Sequence, residues 1–245
     1  MSKESAIRVA GLTYAYPGGQ IALQDLQFSI EPGETVGLIG PNGAGKTTLF
    51  LCLAGILKAS PGMIAVDGLD PANSAQRRQL PSRLGVVFQN SDDQLIHATV
   101  ADDVGFGPLN LGLPEDEVRA RIAEALNRVG LSGLEERVPF HLSGGEKRRA
   151  ALAGVLAMRP DILLLDEPTM FLDPRGRREL AKFLGEIPCT KVIATHDLEF
   201  VLATCGRAML LDAGKLCADG PVREVLAHAD LMDAHGLEVP PSLRG

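Results

Sequence analysis

Gly40-Pro41-Asn42-Gly43-Ala44-Gly45-Lys46-Thr47 is the stretch that decides the fold. Its spacing is GxxxxGK[ST], in which the glycines let the backbone turn and a lysine and a hydroxyl residue follow. Working outward, Thr35 to Ile39 is a compact apolar run that reads as a buried strand, and Lys46 to Leu57 reads as a helix. A strand that passes through such a loop into a helix builds an anion cradle, because backbone N–H groups turn inward and the positive end of the helix points at the same spot. The nucleotide-binding stretch is therefore read as Gly40, Pro41, Asn42, Gly43, Ala44, Gly45, Lys46, Thr47 and Thr48. Lys46 is expected to reach the β- and γ-phosphates of a nucleotide, and the Thr47 hydroxyl to hold Mg²⁺.

A second strand is needed to finish the metal site, and Ile162-Leu-Leu-Leu-Asp166-Glu167 supplies it. Its apolar residues bury the strand, and its carboxylates emerge at the C-terminal end, where open α/β sheets bind ligands. Asp166 is expected to orient Mg²⁺, and Glu167 to accept a proton from the attacking water or hold it in line. His196 ends a third apolar run, Val192-Ile-Ala-Thr-His, and can donate a hydrogen bond to the γ-phosphate.

The flanking sequence fits these strands into one architecture. Ile7 to Val9 and Ala22 to Ile30 are β-like runs separated by the turn Pro17-Gly18-Gly19. Pro114 opens a helix with Glu115, Asp116 and Glu117 in its first turn, and Gly130 stops it. Ala208 to Leu211 is another buried-strand run, and Gly176 to Leu184 and Leu198 to Ala203 read as helices between strands. Strand–helix alternation implies a mostly parallel sheet covered by helices. The fold class is α/β, with an N-terminal antiparallel β subdomain and an inserted helical subdomain. One domain spans 1–245: a core of about 1–94 and 155–220, a helical subdomain of about 95–154, and a short helical tail, 221–245.

Bulk properties narrow the partners. With 45% apolar and 22% charged residues, the chain has the composition of an ordinary soluble globular protein. Its net charge of −7 argues against a phosphate-backbone partner, so no nucleic acid is expected. The longest clearly apolar run, Ala150 to Met158, falls short of the roughly 20 residues that span a bilayer. No apolar signal region follows the N-terminus, so work at a membrane would need recruitment by another chain. Cys52, Cys189, Cys205 and Cys217 show no metal-binding spacing and read as reduced cysteines. The tail residues His228, Asp230, Asp233 and His235 do not share one helical face and read as a solvated helix.

Leu142-Ser143-Gly144-Gly145-Glu146-Lys147-Arg148-Arg149 resembles the signature motif of ABC ATPases. The resemblance covers essentially the whole chain and implies a RecA-like, P-loop core. It further implies that Ser143, Gly144 and Gly145 contact the nucleotide held by an opposite subunit, Ser143 and Gly145 at its γ-phosphate. The same Ser143, three residues before Glu146, also has capping-box spacing. Tyr16 matches the aromatic that stacks on adenine. Gln89, after Leu84-Gly-Val-Val-Phe, matches the glutamine that touches Mg²⁺ and senses a transmembrane partner. Leu172-Asp173-Pro174 matches the loop that crosses the dimer interface, which makes Asp173 an interface residue.

Phe88-Gln89-Asn90-Ser91-Asp92-Asp93-Gln94-Leu95 and the stretch from Leu142 through Gly154-Val-Leu-Ala are similar to energy-coupling factor (ECF) transporter ATPases. Pro174-Arg-Gly-Arg-Arg and Ala234-His-Gly-Leu-Glu-Val-Pro-Pro are similar to the cobalt/nickel branch. The resemblance implies an ATPase on the cytoplasmic face of the cell membrane, a homodimer or a heterodimer with a related ATPase. Its partners would be a transmembrane coupling subunit and a substrate-binding membrane subunit. A vitamin such as biotin, another importer cargo, or a soluble non-transport role are the alternatives. Two departures stand out: Ser91 replaces the usual Pro, and Met170-Phe171 puts bulk before Leu172-Asp173, at the expected dimer interface.

Overall fold

The computed structural model describes residues 5–90, 93–170 and 172–244. β1 (Ile7–Ala15) and β2 (Ile21–Ile30) pair antiparallel. β3 (Thr35–Ile39) runs through the glycine loop into α1 (Lys46–Leu53), and β4 (Ile64–Val66) returns to β1 to complete a three-stranded sheet of order β2-β1-β4. The helix ends at Leu53, short of the expected Leu57, because Gly55 turns the chain with its N–H bonded to Cys52 O at 3.0 Å.

After the single turn α2 (Ser74–Arg77), β5 (Leu84–Val87) enters the second sheet. α3 (Val100–Asn110), α4 (Glu115–Arg128) and α5 (Gly144–Leu156) follow as a helical layer before β6 (Ile162–Asp166). Then come α6 (Pro174–Glu186), β7 (Thr190–Ala194), α7 (Leu198–Thr204), β8 (Arg207–Asp212) and β9 (Lys215–Pro221), with α8 (Val222–Ala227) and α9 (Ala229–Ala234) in the tail. The six-stranded order is β5-β6-β7-β3-β8-β9, parallel except where β9 pairs antiparallel with β8.

Strand periodicity divides the core. On β6, Ile162 and Leu164 face α1 and the antiparallel sheet, whereas Leu163 and Leu165 face the side that carries α5 and α7. β7 and β8 alternate alike, with Val192, Ala194, Met209 and Leu211 on the first face and Ile193, Ala208 and Leu210 on the second. Both faces are dry, which is why these strands read as continuous apolar runs. Each buried Leu or Ile contributes about 2 kcal/mol of transfer free energy.

The same packing opens a crevice. β3 and β7 are neighbours, yet α1 after β3 covers one face and α7 after β7 covers the other. The chain therefore parts at their C-terminal ends, the usual ligand position in such sheets.

Helix ends are set locally. Thr99 caps α3 by accepting from Asp102 N at 3.1 Å, and Ser143 caps α5 in a full capping box with Glu146. Among the described residues no helix is long and apolar enough to cross a membrane. Cys52, Cys189 and Cys205 are buried free thiols, and burial pushes Cys52 up to about 12 and Cys205 up to about 11. Their thiolates, the reactive forms, are thereby suppressed.

Candidate active site

The glycine loop is gripped from outside and open inside. Gly214, in the β8–β9 turn, donates its N–H to Ala44 O at 2.9 Å. Gly40 has φ +147°, and a Cβ there would lie 1.9 Å from the Leu211 carbonyl oxygen, so the loop can leave β3 only through glycine. Gly43, at φ +80°, has nothing within 4 Å of its Cβ position, and this is the open side of the cradle. Gly40→Ala is expected to cost about 3 kcal/mol or more from clash and backbone strain. Its thermal midpoint, read by circular dichroism, should fall by roughly 6–12 °C for a chain of this size.

Within that loop Lys46 is only 8% exposed, and its Nζ donates to Gly40 O at 2.7 Å and Pro41 O at 3.0 Å. Burial lowers its pKa, with Glu167 and Asp166 pulling it back up. An ammonium held by two neutral carbonyls is under-compensated, which suits a polyanionic ligand.

Across the crevice Thr47 Oγ1 donates to Asp166 Oδ2 at 2.7 Å. Asp166 is 2% exposed, and burial raises its pKa, against the lowering effect of the Thr47 hydrogen bond. A hydroxyl on the open side of the crevice paired with a buried carboxylate offers hard oxygens that fit Mg²⁺, which takes one or two protein ligands and fills its shell with water and phosphate. Among the described residues no cluster of three or more His, Cys, Asp or Glu could hold a metal by itself.

Glu167 is 6% exposed and sits in the left-handed region at φ +48°, a strained place for a non-glycine residue. Its carboxylate accepts from Thr195 Oγ1 at 2.9 Å and His196 N at 3.1 Å, and lies 2.9 Å from His196 Nδ1. The His196 side chain itself is largely exposed. The glycine loop, Tyr16, Thr48, Gln89, Asp166, Glu167 and His196 all line one cavity of about 960 Å³.

The remaining expected residues take distinct places. Tyr16 has its hydroxyl 3.0 Å from Thr48 Oγ1 and its ring edge-on to Tyr14. Gln89 Nε2 donates toward Met170 Sδ at 3.5 Å, and Met170 borders the same cavity. Ser143, Gly144 and Gly145 do not line that cavity. Ser143 donates its hydroxyl to Glu146 Oε2 at 2.7 Å, and Asp173 caps α6 by accepting from Gly176 N at 2.7 Å. In the tail, His228 Nδ1 accepts from Leu231 N and His235 Nδ1 lies 2.8 Å from Asp212 Oδ2. Ser91 and Phe171 lie outside the described residues.

Comparison with known proteins places this constellation. The family model described as ABC transporter matches residues 23–170, more than half of the chain. The chain belongs to the ABC transporter ATP-binding family. A relative from Methanothermobacter thermautotrophicus, an energy-coupling factor transporter ATP-binding protein, EcfA, is 47% identical over 96% of this chain and 76% of its own length. The solved cbiO1 of Clostridium perfringens, described as part of the ABC transporter complex cbiONQ, superposes with a TM-score of 0.82 at 39% identity, covering 94% of each chain. An ATP-binding cassette solved as a dimer in a post-hydrolysis state with ADP and phosphate superposes with a TM-score of 0.80 at 26% identity, covering 88% of this chain and 98% of that one. The fold is that of ABC ATPases, and the chain is an ATP-hydrolysing subunit of transporter type, similar to ECF and CbiO proteins.

Two side chains around Glu167 in this ABC ATPase are not evident from sequence motifs. Thr195 is fully buried and hides between an apolar strand and His196. Arg148 is 7% exposed although it stands in a charged run, and it donates to the backbone carbonyls of Glu167 and Gln89. Its one sequence signal is helical spacing: Leu152 and Val155 follow at i+4 and i+7 on the same buried face.

Proposed function

We propose that this chain powers uptake through an ECF-type membrane transporter of cobalt or nickel ions, by closing with a second ATPase subunit around ATP. The carrying observation is that Lys46, Thr47, Asp166, Glu167 and His196 converge on one cavity while Ser143 stands outside it, capping the N-terminus of a helix, the end that favours anions. Lys46 and the loop amides bind the phosphates, Tyr16 packs on the base, and Thr47, Asp166 and Gln89 hold Mg²⁺. Bound Mg²⁺ supplies charge neutralisation of the phosphate oxygens. Glu167 takes the proton of the attacking water, and His196 orients the γ-phosphate. Ser143 of each subunit completes the site of the other, after its hydroxyl turns away from Glu146, and Asp173 lies at that interface.

The chain works peripherally on the cytoplasmic face of the membrane, against a coupling subunit and a substrate-binding subunit. A groove of about 390 Å³ beside the Gln89 segment, lined by Gln94, Leu95, the exposed Phe106, Asn110, Ala151 and Met158, suits a partner helix. The cobalt or nickel cargo rests on the sequence resemblance at Pro174–Arg178 and in the tail.

The trans contact is tested by Ser143→Arg. Nucleotide affinity should stay within about threefold, because the cavity with Lys46 is untouched, while turnover falls by roughly 10²-fold or more with the anion site blocked. Fluorescent-nucleotide titration and phosphate release read the two quantities, and unchanged turnover would contradict the proposal.

A further inference from the structure

We propose that Arg148 is a positioning residue that locks the Glu167 backbone and the Gln89 segment to the helix carrying Ser143. A displacement of α5 by the partner's nucleotide is then felt at the hydrolytic centre of the same subunit. The inference rests on the reading of Glu167 as the hydrolytic carboxylate.

Arg148 lies in the second turn of α5, five residues after Ser143. Its guanidinium spans two chain segments that are 19 and 59 residues away in sequence: Nη1 donates to Glu167 O, and Nη2 donates to Gln89 O at 2.6 Å. Both acceptors are neutral carbonyls, so a buried cation is stationed where an apolar side chain would pack at less desolvation cost. Burial lowers its pKa, while Glu167 and Asp166 favour its charge.

The geometry gives the fork a purpose. The left-handed Glu167 backbone is fixed at its N–H by Ala194 O at 2.7 Å, and its carbonyl also accepts from Met170 N at 3.2 Å. Arg148 adds a tie from the helical layer. It thereby sets how far the end of β6 lies from the Gln89 segment and from α5. Only a planar fork reaches both carbonyls; the point charge of a lysine serves one. Ser143 and Arg148 share a helix whose first turn is stiffened by the capping box, so they move together.

Arg148→Gln and Arg148→Lys, each in the full chain, test the inference. The expected result is a fall in kcat of roughly tenfold to a hundredfold, as misplacement of a catalytic group gives. KM for ATP stays within about twofold, because Lys46 and the glycine loop that carry the phosphate binding are untouched. Lysine restores little. Adding Arg148→Gln to Glu167→Gln lowers the single-turnover rate no further, because Arg148 acts through Glu167. Turnover within about twofold of the parent in both Arg148 variants, with Glu167→Gln inactive, overturns the inference and leaves the proposed function standing. So does a loss that multiplies with that of Glu167→Gln and comes with a raised KM and a lowered melting midpoint, the pattern of a merely structural residue. Normal turnover by Glu167→Gln would instead remove the reading on which both rest.

Discussion

Glu167→Gln should lower ATP turnover by roughly 10²–10⁴-fold, the range for a lost general base, while leaving nucleotide affinity within about threefold. The substitution keeps size and shape. It removes the charge and the proton-accepting oxygen at a position held by Thr195 and His196. The carboxylate stands apart from the glycine loop, where Lys46 bonds to Gly40 and Pro41, and Thr47 to Asp166. Binding and hydrolysis are thus separable, and phosphate release measured beside nucleotide titration reads them independently. A carboxamide variant with parental turnover would mean that water is activated elsewhere.

Lys46→Ala should instead strike binding itself and weaken it sharply. Removing one member of a buried, charge-assisted contact costs about 2–5 kcal/mol, which is roughly 30-fold to several thousandfold in affinity. The fold should survive. Among the described residues Lys46 Nζ bonds to Gly40 O and Pro41 O of its own loop, and α1 is anchored by Leu49, Phe50 and Leu53 rather than by the lysine. Burial already disfavours the charged ammonium, so its removal relieves a desolvation cost. Equilibrium binding of a fluorescent ATP analogue, with a melting curve beside it, checks both halves.

The sequence makes the local parts of this site legible. A glycine loop between a strand and a helix is written in contiguous residues, and so is an apolar run ending in Asp166-Glu167 or in His196. Each needs only strand direction and burial to point at the crevice. Arg148 and Thr195 depend instead on contacts far away in the chain: a guanidinium inside a charged run looks solvated, and a threonine after an apolar strand looks like its end. Elements were hidden for similar reasons. α3 contains Gly105, Gly107 and Pro108, which argue against a helix, yet it is held by packing on α5. β9 alternates weakly between exposed and half-buried residues and is defined by pairing with β8. Leu237, from the tail, reaches the cavity of the candidate site because α9 turns the chain back.

The proposal that two subunits complete each other's sites is tested most directly by the solution mass of Glu167→Gln. Light scattering should give one chain with ADP and two chains with Mg²⁺ and ATP, because the bound nucleotide bridges Lys46 of one subunit and Ser143 of the other and is not consumed. A single-chain mass with ATP bound would contradict the account.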